Sequence, residues 1–299
     1  MKRLFILNFS LFIFHFSFAG TAIPLCNAEV CPQNQNALIW ENDRFGAYLY
    51  GPGNHHCWSG VDVFNKSIPG SAAIAWSKDP NLTDFFKHPN FHDNRGEGMD
   101  NYTMGAGRGV GAVALWADGE WKTYGSWEKF EIIHTGDDYV EFKLVYPSFS
   151  ALGKMTYHIT LKKGDDFFRN DVSFEYPNRF RPDWRVGPGL DLEPKRGHKG
   201  DLAEEPGMVS VYEDTKDVDG ENKAFGPEGS SMSAIFVRVG SDVEKLTDMQ
   251  QCRVLGFKQA NFTYYAGSSW SLAKLDVSAS PAKWHEHVRS VRSQISQPL

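Results

Sequence analysis

Alternating hydrophobic and polar residues recur along most of the chain and predict a fold built from β-strands. The alternation is clearest at residues 141–146, 156–161 and 170–176, where every second side chain is apolar, as expected of a strand with one buried face. Turn signals rich in glycine and aspartate separate such stretches. On these grounds we predict strands at residues 110–116, 129–134, 139–146, 155–162, 167–176, 208–212, 232–239 and 246–255.

The segments around these strands complete the predicted fold. Two short strands in residues 37–50 flank a charged turn, and another covers 60–64. One helical turn is predicted at 72–76, a long loop at 179–207, and a helix at 282–294 that begins after Ser280-Pro281. Residues 37–299 are therefore predicted to form one all-β domain, a large antiparallel β-sandwich with one C-terminal helix. An eight-stranded barrel is the alternative.

The N-terminus has the pattern of a signal peptide. Lys2 and Arg3 precede an apolar run at residues 4–18, and Ser17-Phe18-Ala19 offers a small-x-small cleavage site. The run is short for a membrane span of about 20 residues. We expect residues 1–19 to be removed and residues 20–36 to be an irregular lead-in. The mature protein is expected to be exported, periplasmic or secreted, without a membrane anchor.

Charge and cysteine content narrow the possible partners. Removing Lys2 and Arg3 from 31 basic and 37 acidic side chains changes the net charge from −6 to −8. This argues against nucleic acid as a partner, because phosphate binding needs a basic face. Four cysteines in an exported chain favour disulfides. We favour Cys26–Cys31 and Cys57–Cys252 among the three possible pairings.

One stretch, residues 87–116, concentrates the groups that could carry chemistry. Its glycine-rich first part cannot be a packed core element, because ionised side chains are rarely buried without a partner. Its end, VGAVALW, reads as a buried strand that would hold the loop in place. The candidate residues in this stretch are Lys87, His88, His92, Arg95, Glu97, Asp100, Tyr102 and Arg108.

His92 is the preferred general base of this stretch, because imidazole titrates near neutral pH. His88 and His92 also have a metal-like spacing. Pro89 argues against a helix that would place both rings on one face, and the chain offers no convincing third ligand. We therefore predict no metal and no other cofactor. The remaining alternative is a histidine that only hydrogen-bonds within a loop.

Three arginines and a group of aromatic residues late in the chain could complete a site. Arg44, Arg95 and Arg108 are candidates for a clamp on a carboxylate, with surface salt bridges as the alternative. Tyr264, Tyr265 and Trp270 form a late aromatic loop that could contact a sugar or relay a proton. The alternative is a pair of core tyrosines. The glycines at 105–111 precede a strand, so they do not match a dinucleotide-binding loop.

With these residues in view, the chain resembles a bacterial family known as domain of unknown function 4861. The resemblance rests on Trp40-Glu41-Asn42-Asp43-Arg44 with Tyr48 and Tyr50, on the block from His92 to Trp116, and on Tyr264-Tyr265 with Trp270. It implies a sandwich similar to those of galactose mutarotases and polysaccharide lyases. It also implies an exported protein that works alongside other enzymes of uronic-acid polysaccharide degradation. One relative in the family resembles an ulvan oligosaccharide dehydratase.

The function expected from these residues and this resemblance is β-elimination on a uronic-acid oligosaccharide. Arg44 and Arg95 would clamp the substrate carboxylate, while His92 would remove the C5 proton with Glu97 orienting it. Tyr102 would protonate the leaving hydroxyl. Lys87, His88, Asp100, Arg108, Tyr264, Tyr265 and Trp270 would bind substrate. The alternatives are an aldose mutarotase or epimerase, and a non-catalytic carbohydrate-binding protein.

Overall fold

The strands form three antiparallel sheets, seen in a computed structural model that describes residues 23–52, 60–79, 94–102, 104, 106–148, 150–192, 199–214 and 229–297. In chain order they are β1 (Asn27–Cys31), β2 (Ala37–Glu41), β3 (Phe45–Leu49), β4 (Asp62–Lys66), β5 (Gly98–Met99), β6 (Val110–Ala117), β7 (Glu120–Thr123), β8 (Lys129–His134), β9 (Tyr139–Tyr146), β10 (Met155–Lys162), β11 (Phe167–Phe174), β12 (Arg185–Leu190), β13 (Lys199–Glu205), β14 (Met208–Asp214), β15 (Ser230–Phe236), β16 (Val243–Thr247), β17 (Arg253–Phe257) and β18 (Phe262–Trp270). The α-helices of the described residues are α1 (Ala73–Lys78) and α2 (Pro281–Ser296).

The predicted all-β sandwich is confirmed, with the sheets packed face to face. Sheet I has the order β1-β2-β3-β4-β5, sheet II the order β13-β14-β15-β18-β11-β10-β9-β8, and sheet III the order β16-β17-β12-β6-β7. One face of sheet II contacts both smaller sheets, and a continuous apolar core joins all three. β9 and β10 each alternate between buried and half-buried residues. Their alternation is therefore that of strands with one face in the core.

Helix α2 covers part of the other face of sheet II. Trp284 and Val288 of the helix pack on Phe167, Met208 and Phe236 of the sheet. The helix begins as predicted, with Pro281 in its first turn and the Ser280 hydroxyl accepting a hydrogen bond from the Lys283 N–H at 3.4 Å. No helix among the described residues is both long enough and apolar enough to cross a membrane.

Two predicted segments were wrong because their turn residues were misread. Residues 246–255 are not one strand, since the Asp248 carboxylate accepts from the Gln250 and Cys252 N–H groups at 2.9 Å and turns the chain between β16 and β17. Residues 179–207 are not one loop, because they contain β12 and β13. Gly187 belongs in β12 since a Cβ there would lie 1.8 Å from the Leu255 carbonyl oxygen.

The N-terminal segment also differs from its prediction. Part of the predicted irregular lead-in is strand β1, paired with β2. Cys26 and Cys31 do not form the predicted disulfide, because both are buried free thiols. Five residues of extended chain place them about 16 Å apart, far beyond disulfide reach. The predicted Cys57–Cys252 disulfide involves Cys57, which lies outside the described residues, and stays a prediction.

A fully buried ion pair attaches α1 to sheet I. Glu41 and Lys66 meet at 2.8 Å between Oε2 and Nζ, and both side chains are 0% exposed. The same carboxylate accepts hydrogen bonds from the backbone N–H groups of Ala72, Ala73 and Ile74 at 3.1–3.2 Å. These N–H groups at the start of a helix have no partner within the helix. Glu41 therefore satisfies the helix start and the lysine charge together.

We expect Glu41→Ala to lower the free energy of unfolding by about 3–5 kcal/mol, because it leaves the Lys66 ammonium buried without its counter-charge. Urea unfolding of the variant measures this loss. The double variant Glu41→Gln/Lys66→Met, which removes both charges, should recover part of it. A loss below about 1 kcal/mol in Glu41→Ala, the range of an exposed pair, would contradict this account of the ion pair.

Candidate functional site

Three of the predicted site residues, Lys87, His88 and His92, lie outside the described residues. Their roles as base and substrate contacts stay predictions. The described chain resumes at Asn94. From there to Arg108 the structure places the other predicted residues of this stretch.

Arg95 and Glu97 meet at the indole ring of Trp76 in α1. Glu97 Oε2 accepts a hydrogen bond from Trp76 Nε1 at 2.5 Å. The Arg95 guanidinium carbon lies 5.6 Å from the centre of the same ring, within the range of a cation–π contact. Both charged side chains are exposed. The pair therefore presents a cation at the surface, held by an aromatic ring.

Arg44 lies elsewhere, in the turn between β2 and β3. Its backbone N–H is bonded to Asn42 Oδ1 at 2.8 Å. Its charge acts on Asp165: burial raises the pKa of that carboxyl, and Lys162 and Arg44 act in the opposite direction. The two arginines of the predicted clamp thus have different partners.

A buried group of carboxyls and phenols lies on the face of sheet I that α1 also covers. We call Tyr48, Tyr50, Asp62 and Asp100 the acid–phenol cluster. Tyr48 is paired with Asp62 across β3 and β4, and its hydroxyl donates to Asp100 Oδ2 at 2.5 Å. The Tyr48 and Tyr50 rings meet edge to face, with centroids 5.7 Å apart. Tyr50 is half-buried, whereas the other three are buried.

Burial sets the protonation of this cluster. It raises the pKa of the Asp100 carboxyl from 3.8 to about 7, while hydrogen bonds from the Tyr48 hydroxyl and the Tyr102 N–H oppose the shift. The pKa values of Tyr48 and Tyr50 are raised well above 10.0, first by burial and then by nearby carboxylates. The cluster therefore contains a carboxyl that exchanges protons near neutral pH beside phenols that stay protonated, an arrangement typical of catalytic sites.

The side chain of Asn101, the residue after Asp100, points to the opposite face of sheet I. It belongs to an uncharged network between sheets I and II. Asn65 Nδ2 donates to Asn101 Oδ1 at 2.5 Å and to Ser231 Oγ at 3.0 Å. Ser268 Oγ lies 3.2 Å from Asn65 Oδ1. None of these side chains titrates near neutral pH. The network therefore satisfies polar groups inside the sandwich and moves no protons.

Tyr102 and Arg108 are interior residues in this structure. The Tyr102 hydroxyl donates to the Asp191 carbonyl oxygen at 3.3 Å, and the side chain is 1% exposed. Arg108 Nε lies 3.1 Å from Asp248 Oδ2, and both side chains are buried. These contacts favour structural roles over the predicted roles of Tyr102 as acid and Arg108 as substrate ligand.

The predicted late aromatic loop is instead strand β18, whose alternation separates its aromatic residues. Tyr264 and Trp270 are buried, and the Tyr264 hydroxyl donates to the Gly111 carbonyl oxygen at 2.6 Å. Tyr265 points to the other face of sheet II, where its ring stacks on Phe236 with centroids 5.4 Å apart. Burial of Tyr264 and Trp270 argues against their predicted contact with substrate.

Sequence reasoning missed three members of the acid–phenol cluster as site residues: Tyr48, Tyr50 and Asp62. A signal was present, since Tyr48 and Tyr50 occupy alternate positions near a strand end and Asp62 begins a strand whose residues are all buried. A carboxylate in a fully buried strand needs a partner.

Among the described residues no group of three or more His, Cys, Asp or Glu side chains could hold a metal ion.

Comparison with known proteins gives a family, a distant relative and a weak structural likeness. Residues 20–299 match a family described as a domain of unknown function, DUF4861. An uncharacterized protein, P7, of Formosa agariphila is 24% identical over 295 residues, which is 92% of this chain and 69% of that protein. The GH36 α-galactosidase AgaB of Geobacillus stearothermophilus aligns with a TM-score of 0.40 and 8% identity, covering 81% of this chain and 41% of its own.

We expect Asp100→Asn to remove a pH-dependent destabilisation. Because the pKa of the folded carboxyl is raised, the stability that this group contributes is fully present below pH 3.8 and is lost as the pH rises through about 7. The difference between wild type and variant should change by up to about 4 kcal/mol across this range. Urea unfolding at several pH values measures it, with Asp276→Asn at an exposed carboxyl as control. Parallel curves for wild type and Asp100→Asn would contradict the raised pKa.

Proposed function

We propose, from the premise that this chain belongs to the domain-of-unknown-function family DUF4861, that it is a carbon–oxygen lyase acting on uronic-acid oligosaccharides. Its most specific form is a dehydratase that removes water across C4–C5 of a non-reducing-end uronic acid. One observation carries the proposal: the Tyr48 hydroxyl donates to a buried Asp100 carboxyl whose pKa is about 7. This pair can supply and recover a proton at neutral pH.

The elimination needs three groups: a base for the C5 proton, a cation for the neighbouring carboxylate and an acid for the 4-hydroxyl. A base removes the C5 proton, the electron pair forms the C4–C5 double bond, and the C4–O bond breaks with proton transfer to the departing oxygen, which leaves as water. The C5 proton becomes acidic only when the neighbouring carboxylate is neutralised. A cation must therefore contact that carboxylate, and an acid must reach the 4-hydroxyl.

The acid–phenol cluster supports a revised choice of acid. Tyr48 and Tyr50 are hydrogen-bonded to each other, and Tyr50 is the most exposed member of the cluster. In our proposal Tyr50 protonates the leaving hydroxyl and recovers its proton from Asp100 through Tyr48. This choice replaces Tyr102, because the Tyr102 hydroxyl donates to a backbone carbonyl in the core.

Arg95 and His92 keep their predicted roles in this proposal, whereas Glu97 receives a different one. Arg95 is exposed on the Trp76 ring and has a guanidinium available to a substrate carboxylate. Glu97 was predicted to orient His92. Its carboxylate instead accepts a hydrogen bond from Trp76, so in this proposal it positions the ring under Arg95. His92 remains the proposed base for the C5 proton.

We expect Tyr50→Phe and His92→Ala each to lower kcat by roughly 10²–10⁴-fold, the contribution of a positioned proton-transfer group. Tyr102→Phe, the matched control, should retain most activity. The assay follows the ultraviolet absorbance of the C4–C5 unsaturated uronate, with mass spectrometry to show loss of one water without chain shortening.

The result that would sink the proposal is no rise in absorbance with pectic, ulvan, alginate and glucuronan fragments. Exchange of anomeric protons by NMR without a vinyl product would favour a mutarotase or epimerase. Tight binding by calorimetry without any product would favour a binding protein.

We extend the proposal to location: the protein is exported and works alongside other polysaccharide-degrading enzymes in the periplasm or outside the cell. The apolar run at residues 4–18 and the Ala19 cleavage site support it. The mass of the protein recovered from periplasm or medium should correspond to a chain that starts at Gly20. An intact N-terminus in the cytoplasmic fraction would contradict this part.

A further inference from the structure

The outer face of sheet III carries a row of side chains that the proposed elimination does not use. Trp121 of β7 pairs with Trp116 of β6, and Trp116 pairs with Arg185 of β12. Glu244 of β16 lies at the end of the row, opposite Gly256 of β17. The neighbouring residues Leu115 and Val186 belong to the apolar core. Since side chains alternate along a strand, the row faces outward.

These residues border a shallow depression of about 370 Å³. Its lining residues are Trp116, Trp121, Asp183, Arg185, Glu244, Leu246 and Thr247. Gly256 keeps its floor low, because a Cβ there would lie 2.8 Å from Leu246 Cδ1 and 3.2 Å from Arg185 Cβ. The volume is in the range of small-ligand sites.

The two tryptophans form angled walls of the depression. Their ring centroids are 5.5 Å apart and their planes meet at 64°, so the rings do not cover each other face to face. Both side chains are half-buried. Flat apolar surface of this kind suits a ligand with a flat apolar face.

The charged residues of the depression compensate one another. Arg185 binds Glu244 through two contacts, Nε to Oε2 at 2.8 Å and Nη2 to Oε1 at 3.1 Å. Arg185 Nη1 also donates to the Pro182 and Trp184 carbonyl oxygens at 2.8 and 2.6 Å. Asp183 is paired with Arg181 at 3.0 Å. The arginine is therefore held rigidly and its charge is already balanced, which leaves no free cation for a ligand carboxylate.

We propose that this depression binds a neutral sugar unit of an oligosaccharide chain. A pyranose ring has an apolar C–H face for the tryptophan walls and hydroxyl donors for the oxygen atoms of Asp183 and Glu244. Balanced charge disfavours a uronate, and the two carboxylates disfavour a phosphate or nucleotide. The site lies on sheet III, apart from the acid–phenol cluster of sheet I, and does not depend on the elimination reaction.

The experiment is calorimetric titration of the full mature chain with neutral hexasaccharides of glucose, xylose, mannose and galactose. A galacturonic acid hexasaccharide is the charged counterpart. At least one neutral hexasaccharide should bind, and Trp116→Ala and Trp121→Ala should each weaken its binding by roughly tenfold. Trp121→Phe should keep most of the affinity. Tyr176→Ala, at an aromatic residue that is 38% exposed elsewhere on the surface, should leave binding unchanged.

Circular dichroism and melting temperature confirm that each variant is folded. Should Trp116→Ala fail to fold, Trp121→Ala and Glu244→Gln decide the question. The proposal is overturned if no neutral hexasaccharide binds, if the tryptophan variants bind as wild type does, or if the galacturonic acid hexasaccharide binds more tightly through the same tryptophans. Because binding is measured without turnover, each of these outcomes is independent of whether the protein proves to be a lyase.

Discussion

The arrangement around sheet I depends on the buried contacts of the Glu41 carboxylate. This carboxylate meets the Lys66 ammonium and the first N–H groups of α1 in a region without solvent. A charge in such a place is tolerated only with its full set of partners. The ion pair therefore fixes β2, β4 and α1 relative to one another. Through α1 it also fixes Trp76, which contacts both Arg95 and Glu97.

The acid–phenol cluster lies on the same face of sheet I, but its Asp100 carboxyl responds to burial differently from the Glu41 carboxylate. Glu41 has a lysine beside it, whereas the largest influence on the Asp100 carboxyl is the loss of solvent. One carboxylate is thus held by a counter-charge while the other exchanges its proton at neutral pH. Sheet I separates this titrating group from the uncharged amide and hydroxyl network between the sheets.

Local pattern predicted much of the fold and only part of the candidate site. Strands β9 and β10 have the predicted bounds because their alternation is uninterrupted. β8 has its predicted bounds although its pairing with β9 shifts register between Ile132 and His134. β12 was missed because Gly187, Pro188 and Gly189 mimic a loop, although close strand packing requires Gly187. Asp100 was placed in the site from its own segment. Its partner Tyr48 is 52 residues away, and hydropathy alone does not specify which residue of β3 faces which residue of the neighbouring segment.

Asp100 and Asn101 are consecutive, yet their side chains bond to groups on opposite faces of sheet I. Successive side chains of this segment therefore contact different groups: Asp100 contacts the acid–phenol cluster, and Asn101 contacts the uncharged network between the sheets. A substitution at either position changes one face only. Inserting one residue directly after Met99 would shift the side chains that follow by one position and turn the Asp100 carboxylate towards the interior network that Asn101 now contacts. Chain length in this segment therefore decides which face of sheet I receives the carboxylate.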